Sequence, residues 1–292
     1  MPSQETSLSV IKKVYNHTLK SFKNNPALII PFLIFAIFEF SALIFIYFSP
    51  RAPLVSIFGP PIRTFWGEVF LHYPTNFLLL PKLASLSRLV LTLSLSSLLT
   101  GMVMFIILDI QHKKEVKLGL VFKSALQKYI SLFTIVLIFI LLFQVFVKIT
   151  TIGLTGYFMA GHSRLLFFGP GIWLGPILAL MHFIFAIFIQ AAFIYAIPAL
   201  IIGQEKLIQS IGKSFLLFKK LFIPTLILVG LPMLIYIPIM VLSYNTDFLI
   251  DKLFPEFILW VAFLNTVVSS LIIDPLVTVS TALLYLENKA KG

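Results

Sequence analysis

The sequence predicts an all-α, polytopic membrane protein with six transmembrane helices, and three observations predict it. Only 11% of the 292 residues are charged while 59% are hydrophobic, and the mean hydropathy is +1.04. Apolar runs long enough to cross a bilayer recur along the whole chain. Lysines gather in alternate loops between those runs. A soluble domain carries about 25% charged residues because its water-facing surface has to be covered. This chain has too few charges to do so, which excludes a soluble enzyme, a coiled coil and a disordered protein.

A helix needs about 20 apolar residues to cross a bilayer. The candidate spans are 26–49, 86–109, 130–152, 172–202, 221–243 and 259–285. The first run is too long for a signal-peptide core and no small-residue cleavage site follows it, so the N-terminus is expected to be retained. The fourth run is long enough to end in an interfacial turn, with Pro198 as the expected break. Pro31, Pro224, Pro232, Pro238 and Pro275 fall inside other spans, where neighbouring helices can satisfy the freed carbonyls. There is no cysteine, so disulfides and thiolate metal sites are excluded.

Orientation follows from lysine and arginine beside the spans. One side collects Lys12, Lys13, Lys20, Lys23, Lys113, Lys114, Lys117, Lys123, Lys128, Lys206, Lys213, Lys219, Lys220, Lys289 and Lys291. The other holds fewer than half as many: Arg51, Arg63, Lys82, Arg88, Lys148, Arg164 and Lys252. This bias predicts that both termini are cytoplasmic. The net charge of +11 then resides mostly on the cytoplasmic face, where anionic headgroups attract each lysine by about 1 kcal/mol. Nucleic acid is not needed to explain it.

Each basic segment reads as an amphipathic helix leading into a span. Ile11, Val14, Tyr15, Leu19 and Phe22 share one face of the first. Leu118, Phe122, Ala125, Leu126 and Tyr129 share one face of the second, and Leu207, Ile211, Ser214, Phe215 and Phe218 one face of the third. Spacings of three and four residues give the helical period. Such helices suit the headgroup layer, with the apolar face buried in its boundary. The chain is thus expected to be a single membrane domain, 1–292, built as a pseudo-threefold repeat over about 8–109, 110–202 and 203–287. Each unit is an interfacial helix, a span, an outer loop and a span. Lys12, Lys20, Lys123, Lys128, Lys213 and Lys219 are the candidate contacts to lipid headgroups. Outer loop 50–85 mixes aromatics with prolines and is expected to lie on the interface. Loop 153–171 is rich in glycine and is expected to form a turn-rich cap.

Two stretches carry a family likeness: Ala196-Ile-Pro198 through Glu205 to Ile211-Gly-Lys213-Ser214, and Asp274-Pro275 through Tyr285-Leu-Glu287 to Gly292. The segment from Asp109 to Lys123-Ser-Ala-Leu fits the same pattern in the second unit. The chain resembles six-span prokaryotic inner-membrane proteins, a group that includes the membrane domain fused to some glycerophosphodiester phosphodiesterases. The resemblance implies a prokaryotic inner-membrane location. The chain departs from the group's closing pattern in having Lys and Asn where Arg and an acid are usual. It also lacks the soluble phosphodiesterase barrel, so that activity does not carry over.

No His-Glu-x-x-His, Gly-x-Ser-x-Gly or phosphate-binding loop motif occurs, and neither enzyme activity nor a cofactor or metal is expected. The leads are polar groups at bilayer depth, where a charge costs a few kcal/mol. Glu39 and Asp274 are the candidate intramembrane site. Gln144, Lys148, His182, Gln190 and Asn265 read first as interhelical bonds or snorkelling groups. The leading expectation is a non-enzymatic protein that binds anionic lipid and supports membrane organisation or a larger complex. The alternatives are a transporter or channel using Glu39 and Asp274, and an accessory subunit that docks a protein partner through the outer loop.

Overall fold

The computed structural model describes residues 7–159 and 170–290, and every regular element among them is helical. Among the described residues five helical stretches are long and apolar enough to cross a membrane: Pro26–Phe48, Asn76–Gln111, Tyr129–Leu154, Ile177–Ile201 and Phe257–Ala290. The count rises to six if two consecutive helices bent by 97° form one broken span.

The first unit opens with α1 (Ser7–Asn24), a turn at Pro26–Leu28 and α2 (Ile30–Phe48). Pro26 starts the turn, where its missing N–H costs no helical bond. The outer segment holds α3 (Val55–Phe65), a short helix carrying Pro60 and Pro61. Then α4 (Asn76–Leu91) runs through a π-helical stretch, Thr92–Ser96, into α5 (Ser97–Gln111). This helix begins well before residue 86. Pro81 lies within it, and the polar residues that made the segment read as loop are accommodated on the helix.

The second unit has α6 (Leu118–Gln127), α7 (Tyr129–Met159), α8 (Pro170–Phe193) and α9 (Ala196–Ile201). Gly153 and Gly156 are helical, so α7 extends into the segment expected as a turn; the rest of that cap, 160–169, lies outside the described residues. The break before α9 falls at Ile194 and Tyr195, leaving Pro198 in the first turn of α9, where proline is tolerated. The third unit has α10 (Leu207–Lys220), α11 (Phe222–Leu234), α12 (Ile237–Tyr244), α13 (Thr246–Lys252) and α14 (Phe257–Thr266). A second π-helical stretch, Val267–Ile273, joins α14 to α15 (Asp274–Ala290). The 97° bend lies between α10 and α11.

The three short basic helices share one core at what we call the basal end of the bundle. Their burial follows a common register. Val14, Val121 and Ser210 are buried, and four residues later so are Thr18, Ala125 and Ser214. A further four residues on stand Phe22, Tyr129 and Phe218, all half-buried. The small side chains let each helix approach a neighbour closely, as small-residue seams do in membrane bundles. Helix α6 packs on α5, α10 on α9 and α8, and α1 on α15 and α11. Each short helix therefore rests on the last helix of the unit before it, and α1 rests on the last helix of the third.

Specific contacts hold these seams. Ser214 Oγ donates to Ala192 O at 2.6 Å and accepts from Tyr195 N at 3.2 Å. The Tyr15 hydroxyl donates to Leu228 O at 3.3 Å, and Lys13 lies 3.5 Å from Glu287. Lys289 donates to Ile202 O at 2.9 Å. The face expected to meet lipid is thus split. One edge is buried in the protein, while Leu19, Leu126 and Phe215 at the other edge remain exposed.

Candidate functional site

Glu39 stands at the middle of α2, a 19-residue helix with no other charge. Asp274 stands near the middle of the Phe257–Ala290 stretch, directly after its π-helical segment. Two carboxylates at such depth need a partner, since burial of unpaired charge costs several kcal/mol. The partner is Arg88. Its Nε lies 3.4 Å from Glu39 Oε1 and its Nη2 3.6 Å from Asp274 Oδ2. Its Nη1 donates to Ser269 Oγ, and Ser270 Oγ donates to Glu39 Oε2.

The helix geometry explains how four segments converge here. The π-helical stretches Thr92–Ser96 and Val267–Ile273 flank the cluster, one shortly after Arg88 and one immediately before Asp274. The second supplies both serines. π-Helical turns are uncommon and concentrate at functional sites, because the wider turn re-aims side chains that an α-helix would bury elsewhere. Glu39 is 5% exposed, so it is sealed behind Arg88. Arg88 and Asp274 keep about a third of their side-chain surface open.

That open surface faces cavities. One, of about 300 Å³, is lined by Arg88, Thr92, Ser96 and Thr100 from one helix and by Asp274, Thr278 and Thr281 from another. Gln190, Phe32, Phe35, Phe139 and Phe193 complete much of its wall. The four polar residues from Arg88 to Thr100 recur every fourth position, which sets them on one helical face. A second cavity, of about 250 Å³, is lined by Arg88, Ser85, Ser243, Thr246, Tyr236 and Asn265 among others. From Arg88 the first lining runs along α5 and α15 toward the basal end, and the second runs along α4 and α14 the other way. Arg88 belongs to both walls. The Oδ1 atom of Asn265 is buried with no hydrogen-bond partner.

The structure thus brings Glu39 and Asp274 together through Arg88, which sequence reasoning had assigned to the outer side. The hydroxyls at fourth-residue spacing from Arg88 are a signal that could have pulled it inward, since one polar stripe on an apolar helix has to face something polar. Of the other intramembrane candidates, Gln190 lines the larger cavity, His182 contacts Thr150 Oγ1 at 2.9 Å, and Gln144 and Lys148 are exposed.

The basic residues separate into two kinds. Lys12, Lys20, Lys123, Lys128 and Lys219 are exposed. Lys213 is half-buried and donates to Glu205 Oε1 at 2.6 Å, a bond that raises its pKa above the ordinary lysine value. Among the described residues no cluster of three or more His, Asp or Glu is placed to hold a metal ion. Comparison with protein-family models, with curated proteins and with solved structures found no match.

Proposed function

We propose that this chain is a multi-pass membrane transport protein in which the Arg88–Glu39–Asp274 cluster stands on the path of a small polar or cationic solute. The observation that carries this reading is the membership of Arg88 in the walls of two cavities that extend toward opposite ends of the bundle. Ionisable groups inside membrane helices characteristically mark ion and substrate pathways. Two half-paths meeting at a charge cluster suit access from alternate sides. In the same reading the segment beyond the 97° bend, beginning with α11, makes the sixth crossing, while α10 lies along the surface. The lysine-bearing ends of α1, α6 and α10 then lie at the cytoplasmic surface of a prokaryotic plasma membrane.

The test is solid-supported-membrane electrophysiology on reconstituted protein, with concentration jumps of protons, inorganic cations and organic cations. The reading expects transient currents above those of protein-free membranes, abolished in Asp274→Asn. Absence of current for every solute would overturn it.

A second reading, binding of anionic lipid, rests on the exposed lysines beside exposed apolar residues such as Leu19, Leu126, Ile208 and Leu216. Charge reversal of Lys12, Lys20, Lys123, Lys128 and Lys219 should then release anionic lipid retained by the purified protein. Lys213 belongs less to this set, because Glu205 already holds it. The resemblance to six-span inner-membrane proteins is compatible with either reading.

A further inference from the structure

Resting on the transport reading, the geometry points to a substrate class. We propose that the larger cavity takes an amphipathic organic cation, a substituted ammonium with an apolar body, whose charge sits against Asp274. Each of the three side-chain nitrogens of Arg88 faces a partner: Glu39, Asp274 and Ser269. An anion would have to compete for this guanidinium with the two carboxylates it already faces. With all three charged groups ionised, two carboxylates face one guanidinium, so the cluster carries one net negative charge.

That charge is accessible at one point. Glu39 is closed off behind Arg88 and hydrogen-bonded by Ser270. Asp274 lines the cavity, and its Oδ2 is the oxygen that meets Arg88. Among the described residues its Oδ1 has no hydrogen-bond partner. An added cation there completes the charge balance of the cluster, which an added anion would worsen.

The remaining wall fits the rest of such a ligand. Phe32, Phe35, Phe139 and Phe193 offer aromatic surface, and the face of an aromatic ring attracts a cation held near it. The volume of about 300 Å³ falls at the lower end of small-molecule sites, which enclose roughly 300–1,000 Å³. Apolar walls around few polar groups are the usual composition of such sites.

The test uses the full chain in lipid nanodiscs and two probes that share a benzyl body and differ in charge: benzyltrimethylammonium and phenylmethanesulfonate. Equilibrium dialysis should show saturable binding of the ammonium and none of the sulfonate. Asp274→Asn should weaken ammonium binding at least about tenfold, whereas Asp274→Glu should retain it. Phe139→Ala, which leaves the charge cluster intact, should weaken it several-fold, and this variant decides the matter if Asp274→Asn does not fold. Equal binding of both probes, preference for the sulfonate, or ammonium binding unchanged in Asp274→Asn and Phe139→Ala would overturn the assignment. Proton or inorganic-cation currents without ammonium binding would overturn the substrate class and leave transport standing. Ammonium binding without any current would support the site and overturn transport.

Discussion

The basal end and the charge cluster are built by opposite rules. At the basal end the same pattern appears three times, with Thr18, Ala125 and Ser214 each pressed against a neighbouring helix. Among the described residues the cluster occurs once, from α2, α4 and α15, and the second unit contributes no charged residue to the cavity beside it, only Gln190 and apolar residues such as Phe139 and Phe193. Repetition makes the scaffold; the singular residues make the site. The basal seams use small side chains and close approach, while the cluster places three ionisable groups where an apolar core would be cheaper.

The sharpest way to break this contrast is to remove Arg88. Arg88→Met strands Glu39, nearly fully buried, without its cation, and breaking a buried pair in this way costs about 3–5 kcal/mol. The unfolding midpoint of the detergent-solubilised protein should fall steeply. Adding Glu39→Gln and Asp274→Asn should recover most of the loss, because the triple variant leaves no uncompensated charge. A triple variant as unstable as Arg88→Met would show that the cluster is needed for the fold itself.

A smaller effect is expected at the basal end. A methyl group at Gly203 would lie 2.4 Å from Ala199 O and 2.5 Å from the Tyr285 hydroxyl. The first of these is backbone and cannot swing aside. Gly203→Ala should destabilise by about 1–3 kcal/mol, the range for overpacking, and leave probe binding in the cavity unchanged. A change in binding would mean that the two regions are coupled.

The smallest effect concerns the seam between α1 and α11. Tyr15→Phe removes one hydrogen bond to Leu228 O, worth about 1 kcal/mol. The same bond has a pH signature. Burial raises the Tyr15 pKa from 10.0 to about 12, so the folded state favours the neutral phenol. The stabilisation is complete below pH 10 and lost as pH rises through about 12. Wild-type protein should lose stability across this window more steeply than Tyr15→Phe, measured by thermal unfolding at stepped pH.

Much of the scaffold was legible in the sequence because its signals are periodic. Ile11, Leu118 and Leu207 open the same spacing, and Phe22, Tyr129 and Phe218 close it, so helices at these three places were readable before any packing was known. The fate of each face was not legible, since hydropathy does not tell a lipid-facing leucine from one that packs on a neighbouring helix. Glu39 and Asp274 stood out because an acid inside an apolar run demands an explanation. Arg88 did not, because it stands at the outer end of the expected span 86–109, where a basic residue reads as an anchor at the interface. Only the neighbouring carboxylates make its position inside the helix tenable. The bond between Lys213 and Glu205 was also hidden: the turn that brings them together has no periodic signature.

The wide turns beside the cluster have a consequence for how such a site tolerates a change in chain length. A π-helical segment accommodates one residue more than the α-helical turn it replaces. Deleting a single residue from 267–273 would therefore let that stretch relax to regular geometry with Asp274 keeping nearly the same bearing toward Arg88. The same deletion in the α-helical stretch before it, 257–266, has no extra residue to absorb it and would turn Asp274 by about 100° about the helix axis. The wide turn is thus the place where the chain can lose a residue without losing the meeting of Asp274 and Arg88.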